Sequence, residues 1–140
     1  QQEAKTKDAN IFYVKSVPHD WLFPHMAGAV HHGGAGTTAT SLRHALPTLV
    51  VPFGGDQPFW AERVYAAGCG PKAIPRDKLT AENLAEGLRA LISNPEYTRN
   101  AACIGEALRN EHGCANAADL IEKAVWDWEN GNPAQDGMNI

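Results

Sequence analysis

The 140 residues are one domain's worth of chain, 44% apolar and 20% charged, long enough to bury a core and too apolar for disorder except at the ends. A formal net charge of −4 without a Lys/Arg cluster excludes a nucleic-acid or anionic-membrane surface, since both need dense basic charge. Three cysteines with no C-x-x-C pair exclude a disulfide framework and a thiolate metal site, and no run approaches the ~18 consecutive apolar residues of a membrane span.

Residues 1–10 form a polar lead without an apolar signal segment, so the cytosol is the expected location and the thiols are expected reduced. The chain begins without methionine, as expected for a piece of a longer protein. The I-F-Y-V run at 11–14 reads as a strand. Pro18 breaks the run that follows, and W-L-F-P at 21–24 reads as a single helical turn. Residues 26–31 read as a second strand, leading into Gly33, Gly34 and Gly36. A helix from about Thr37 to Ala45 follows, with Ala39, Leu42, Ala45 and Leu46 as its apolar face and Pro47 as its stop.

T-L-V-V at 48–51 is an unbroken apolar run ended by Pro52, the pattern of a strand buried on both faces of a parallel sheet. In F-G-G-D-Q-P at 53–58, Pro58 suits a first helical turn and Asp56 or Gln57 lies at the cap. That helix should reach Ala67 and close at Gly68, with a further short strand at 70–74. Thr80 caps the next helix, whose Leu84, Leu88, Leu91 and Ile92 are expected to face inward until Asn94-Pro95 ends it. Residues 96–111 and 115–129 read as two last helices, the second carrying Leu120, Ile121, Ala124, Val125 and Trp128 on one side. Asn, Gly and Pro make 130–140 a loose tail, so the expected division is 1–10, 11–129 and 130–140.

Strands alternating with helices imply an α/β, doubly wound (Rossmann-like) parallel sheet, which binds ligands at the carboxyl ends of its strands. The loops after Val14, Val30 and Val51 would gather at that edge. In A-V-H-H-G-G-A-G-T-T at 29–38, glycines permit close backbone approach, and the first N–H groups of the following helix offer an anion site. Neither G-x-x-x-x-G-K-[ST] nor G-x-G-x-x-G is present. Taken alone, the cluster reads rather as a tight strand-to-helix turn with two satisfied histidines.

H-H-G-G-A-G-T-T at 31–38, G-G-D-Q-P-F-W at 54–60 and S-V-P-H-D-W-L at 16–22 together resemble the C-terminal, nucleotide-sugar-binding half of GT-B glycosyltransferases. The likeness is to the sterol 3-β-glucosyltransferases in particular, with antibiotic-aglycone glycosyltransferases nearby, and it runs from about Ile11 to Lys123. The resemblance implies that His32 contacts the donor diphosphate, with Gly34, Ala35, Gly36 and Thr37 around it. It implies that Asp56 and Gln57 hold the hexose hydroxyls, and that Val17 and His19 belong to the loop holding uracil and ribose. Plant secondary-metabolite relatives place a stacking tryptophan near Ser16, so base recognition here must differ. Amides, a helix terminus and an imidazolium would stabilise the leaving UDP without a metal.

The implied activity is a UDP-glucose-dependent hexosyltransferase, inverting the anomeric centre by in-line attack on a sterol 3-hydroxyl or similar lipid alcohol. UDP-glucose is then the donor substrate and no cofactor is expected. The acceptor site and general base belong to an N-terminal half outside this chain, so none of its residues is expected to be the catalytic base and the isolated chain is expected not to turn over. The intact protein is expected in the cytoplasm, peripheral at membranes. Since the run at 11–14 would be about the third strand of the half-domain, an open sheet edge would be left for a partner. Five of the six histidines lie between 19 and 44, but their spacing carries no zinc signature and the expectation is no metal. His31, Trp21 and Trp60 are expected to be structural. An antibiotic, glycolipid or flavonoid acceptor, and a non-catalytic nucleotide-sugar-binding module, are the competing readings.

Overall fold

The computed structural model describes residues 10–131, and the chain parts into two units between Leu108 and Arg109. Nearly all of the expected polar lead and loose tail lie outside the described residues. The first unit opens with α1 (His19–Leu22), which runs into a 3-10 turn, Phe23–His25. It continues through β1 (Ala29–His31), α2 (Ala35–Arg43), β2 (Thr48–Val50) and α3 (Gln57–Ala66). A second 3-10 turn, Arg76–Lys78, precedes α4 (Ala81–Ser93) and α5 (Pro95–Asn110), whose last two residues belong to the second unit. The second unit holds α6 (Gly113–Glu129), which starts two residues before the expected Ala115.

β1 and β2 are parallel and pair in the register Ala29 to Thr48, Val30 to Leu49 and His31 to Val50. The crossover through α2 is the βαβ unit of a doubly wound sheet. All three residues of β2 are buried, as its unbroken apolar run predicts. Val50 joins Leu42 of α2, Ala61 and Val64 of α3, Cys69 and Ala101 of α5 in one core cluster. Its neighbour Leu49 points to the other face, where its Cδ2 lies 2.9 Å from the position a Cβ on Gly87 of α4 would take. The sheet is therefore covered on both sides.

Helix boundaries follow their chemistry. Thr80 and Asn83 make a reciprocal capping box at α4, with Thr80 N–H donating to Asn83 Oδ1 (2.9 Å) and Asn83 N–H to Thr80 Oγ1 (3.2 Å). Gly68, at φ +63°, follows α3 as a left-handed stop.

Three expectations are corrected. Residues 11–14 form no strand: Phe12 is 91% exposed, and among the described residues no backbone pairs with this run. A ladder needs a partner whatever the side-chain propensity. Residues 70–74 form no regular strand either, although Thr48 N–H donates to Cys69 O (2.9 Å) and Ile74 N–H to Val50 O (3.0 Å). Pro71 brings no N–H, so the ladder between those two bonds is interrupted. On α4, Leu91 is buried, but Leu88 is 39% and Ile92 67% exposed. The helix approaches β2 through Gly87, and Leu91 lies one turn on along the same face, whereas Ile92 sits ~100° further round.

Candidate functional site

Both strands end at one edge, where Val51 N–H donates to His31 O (2.8 Å) and two loops depart side by side. Gly33 is buried at φ +88°, a conformation only glycine adopts readily. A Cβ there would fall 2.5 Å from Val50 Cγ1 and 3.3 Å from Gln57 O. The glycine turn is thus in contact with the start of α3, and the two motifs, one crossover apart in sequence, share this edge.

In the first loop, Gly33 N–H donates to His31 Nδ1 (3.0 Å). The proton of a neutral His31 ring then resides on Nε2, which is buried without a hydrogen-bond partner among the described residues. Burial first, then His32 and His19, lower the His31 pKa to about 4. His31 is therefore a neutral ring that holds the turn. His32 is exposed, and its Nε2 is 2.6 Å from where a Cβ on Gly34 would stand, so the imidazole lies directly over the entry to α2.

Gly34 is the N-cap of α2 and offers no side-chain cap. The first helical bond runs from Thr38 N–H to Gly34 O (2.9 Å). The N–H groups of Ala35, Gly36 and Thr37 are left without helical partners at the positive end of the helix. Around Gly36 nothing lies within 4 Å of a notional Cβ, so a ligand has room to approach these amides. Such an arrangement binds a phosphate.

In the second loop, Asp56 occupies the N-cap position of α3 but its side chain does not cap the helix, which corrects the expected capping role. Its Oδ2 instead accepts from the indole N–H of Trp60 (2.8 Å). Gln57 Oε1 accepts from Phe53 N–H (2.8 Å) and Gly54 N–H (3.2 Å), pinning the loop. Since both donors are amides, the oxygen of Gln57 must face them and its NH2 is turned elsewhere. Asp56 presents an acceptor and Gln57 a donor, a pair chemically able to read adjacent hydroxyls with fixed polarity.

Of the two residues expected around the base and ribose, His19 stacks on Phe23 with ring centroids 4.5 Å apart. With His31 and Thr37, His19 lines a cavity of about 280 Å³ that borders the glycine turn. Val17 is half-buried and is not among the described residues lining it. Trp21 is 64% exposed and makes a T-shaped ring contact with His25, centroids 5.6 Å apart. Sequence reasoning also passed over the bond from Trp60 to Asp56, whose i,i+4 spacing at a helix start was the available signal. Among the described residues no three His, Cys, Asp or Glu side chains converge as metal ligands.

Residues 2–122 match the family model of the erythromycin biosynthesis protein CIII-like C-terminal domain. Sterol 3-β-glucosyltransferase UGT80B1 of Arabidopsis thaliana is 46% identical over 114 residues, covering 81% of this chain and 18% of that protein. The sterol 3-β-glucosyltransferase of Pichia angusta is 43% identical over 111 residues, 79% of this chain and 9% of that protein. Among solved structures, the glycosyltransferase VinC in complex with dTDP superposes with a TM-score of 0.69 at 33% identity, over 74% of this chain and 26% of that one. The spinosyn forosaminyltransferase SpnP shares the fold, with a TM-score of 0.79 at 23% identity over 89% of this chain and 34% of that one. The chain thus spans less than a fifth of the length of these sterol glucosyltransferases, at 18% and 9%.

Proposed function

The chain belongs to the erythromycin biosynthesis protein CIII-like C-terminal domain family of GT-B glycosyltransferases, and on that premise we propose that it is the donor-binding half of a UDP-glucose-dependent sterol glucosyltransferase. The observation that carries this reading is Gly33 packed against Gln57, with 3.3 Å between a notional Cβ and Gln57 O. That contact sets the phosphate-binding amides beside the acid and amide that take the hexose. His32 and the amides of 35–37 hold the diphosphate, Gly34 lets the imidazole sit close, and Asp56 and Gln57 grip the sugar. Val17 and His19 take the base and ribose. Charge on the departing UDP is met by preorganised N–H donors, so the domain's residues call for no metal. The sterol specificity rests on the 41–46% identity to sterol glucosyltransferases, and the acceptor and general base are assigned to the remainder of the longer protein. Among the described residues no helix is long and apolar enough to cross a membrane. The three cysteines are unpaired; we place the intact protein in the cytoplasm, peripheral at membranes.

Calorimetric titration with UDP and UDP-glucose tests the reading. Asp56→Ala is expected to weaken UDP-glucose binding about 10- to 100-fold, the value of a hydrogen bond to a charged group, while UDP binding is unchanged. Equal loss for both ligands, or no binding of either by the unaltered chain, would sink it. The structural match to VinC with dTDP favours a second reading, transfer from a dTDP-sugar; tighter binding of dTDP than UDP would select it.

A further inference from the structure

The Asp56 carboxylate is exposed, and nothing in its own loop holds it: it caps no helix, and its backbone serves only as an acceptor for Phe59 and Trp60 N–H at 3.0 and 3.2 Å. A free aspartate side chain has two rotatable bonds and would lose that freedom on gripping a ligand. Here one oxygen is already engaged, by the Trp60 indole N–H at 2.8 Å. Indole nitrogen is a donor without an acceptor function, and an ionised carboxylate is acceptor-only, so this bond has one direction.

Trp60 is itself fixed. It is half-buried, packs edge-on against Phe59 (centroids 5.1 Å apart, planes at 80°) and forms part of the wall of an apolar cavity of about 620 Å³ together with Gly36, Leu42 and Val64. One helical turn beyond Asp56, its N–H reaches back to Oδ2 of an exposed residue, and no hydrogen bond to Oδ1 is made among the described residues. The same cavity is walled by Gly36, which ties the ring to the phosphate-binding end of α2.

We propose that Trp60 is a positioning residue for the sugar: by occupying Oδ2 it sets Asp56 in the rotamer that offers Oδ1 to a hexose hydroxyl. The inference rests on the donor-site reading above. Trp60 touches no ligand in this account; its effect passes wholly through Asp56.

The test is a double-mutant cycle by calorimetry on the 140-residue chain with UDP and UDP-glucose. Trp60→Phe keeps the ring and removes the N–H. It is expected to weaken UDP-glucose about three- to tenfold and leave UDP unchanged. In an Asp56→Ala background the same change is expected to have no further effect. Equal weakening of UDP and UDP-glucose would reduce Trp60 to a packing residue and overturn the proposal, as would a full effect persisting without Asp56. In the unaltered chain, the Trp60 indole proton resonance is expected to move on UDP-glucose addition but not on UDP addition, and to shift in Asp56→Ala; an indole resonance indifferent to Asp56 overturns the proposal even where Trp60→Phe fails to fold. If Asp56→Ala discriminates between the ligands while Trp60→Phe does not, the donor site stands and the positioning role falls. If the unaltered chain binds neither ligand, the donor reading itself has failed.

Discussion

Alanine at position 70 is expected to cost the protein more than about 4 kcal/mol of its stability, a value in the extreme tail for single substitutions. Gly70 is buried, and its missing Cβ would stand 1.8 Å from the carbonyl oxygen of Thr48 and 2.8 Å from its carbonyl carbon. Those are backbone atoms of β2, at a residue with no exposed surface, so no rotamer change relieves the overlap. The segment must lift away, taking with it the bonds from Thr48 N–H to Cys69 O and from Ile74 N–H to Val50 O. Natural domains have about 5–15 kcal/mol in total. Thermal unfolding followed by circular dichroism should show a midpoint lowered by about 10 °C or more, or no cooperative transition. An unchanged midpoint would mean that the close approach is not made.

Gly33→Ala is expected to damage fold and site together. At φ +88° an alanine costs about 1–2 kcal/mol in backbone strain. Its methyl would also lie 2.5 Å from the buried Val50 Cγ1, and overpacking of that kind typically adds about 1–3 kcal/mol. Relief requires moving the turn away from Gln57, which separates the amides of residues 35–37 from the Asp56/Gln57 pair. UDP-glucose affinity should therefore fall at least about tenfold in chains that remain folded, since one lost hydrogen bond to the diphosphate suffices for that. Calorimetry beside a denaturant titration checks both effects. Wild-type stability and affinity in Gly33→Ala would show that the turn does not need its glycine.

Which parts of this molecule were legible in the sequence follows from where its forces are local. The stop of α3 and the start of α4 rest on Gly68 and the Thr80/Asn83 box, side chains and backbone within a turn of the boundary. β2 announced itself through an apolar run that only a strand covered on both faces can use. The 11–14 run had the propensity of a strand but not the neighbour, and neighbours are not local. Ile92 was misplaced because the contact face of α4 centres on Gly87, a residue that buries its backbone against Leu49 and has no side chain to advertise it. At the site, the ordered motifs led to two loops that the fold brings to one edge, because glycine turns and helix starts have their own spelling. What they could not spell was direction: that Gln57 turns its oxygen inward to Phe53 and Gly54, and that Asp56 gives one oxygen to Trp60, are facts of side-chain placement.

In the reading proposed here, the exposed amides at the start of α2 and the acid and amide at the start of α3 form one nucleotide-sugar site. Amide resonances followed during titration of the chain with UDP-glucose test this. The largest shifts are expected at Ala35, Gly36 and Thr37, with a second group at Gly55, Asp56 and Gln57 that responds to UDP-glucose and not to UDP. Shifts confined to other segments, with these six amides unmoved, would contradict it.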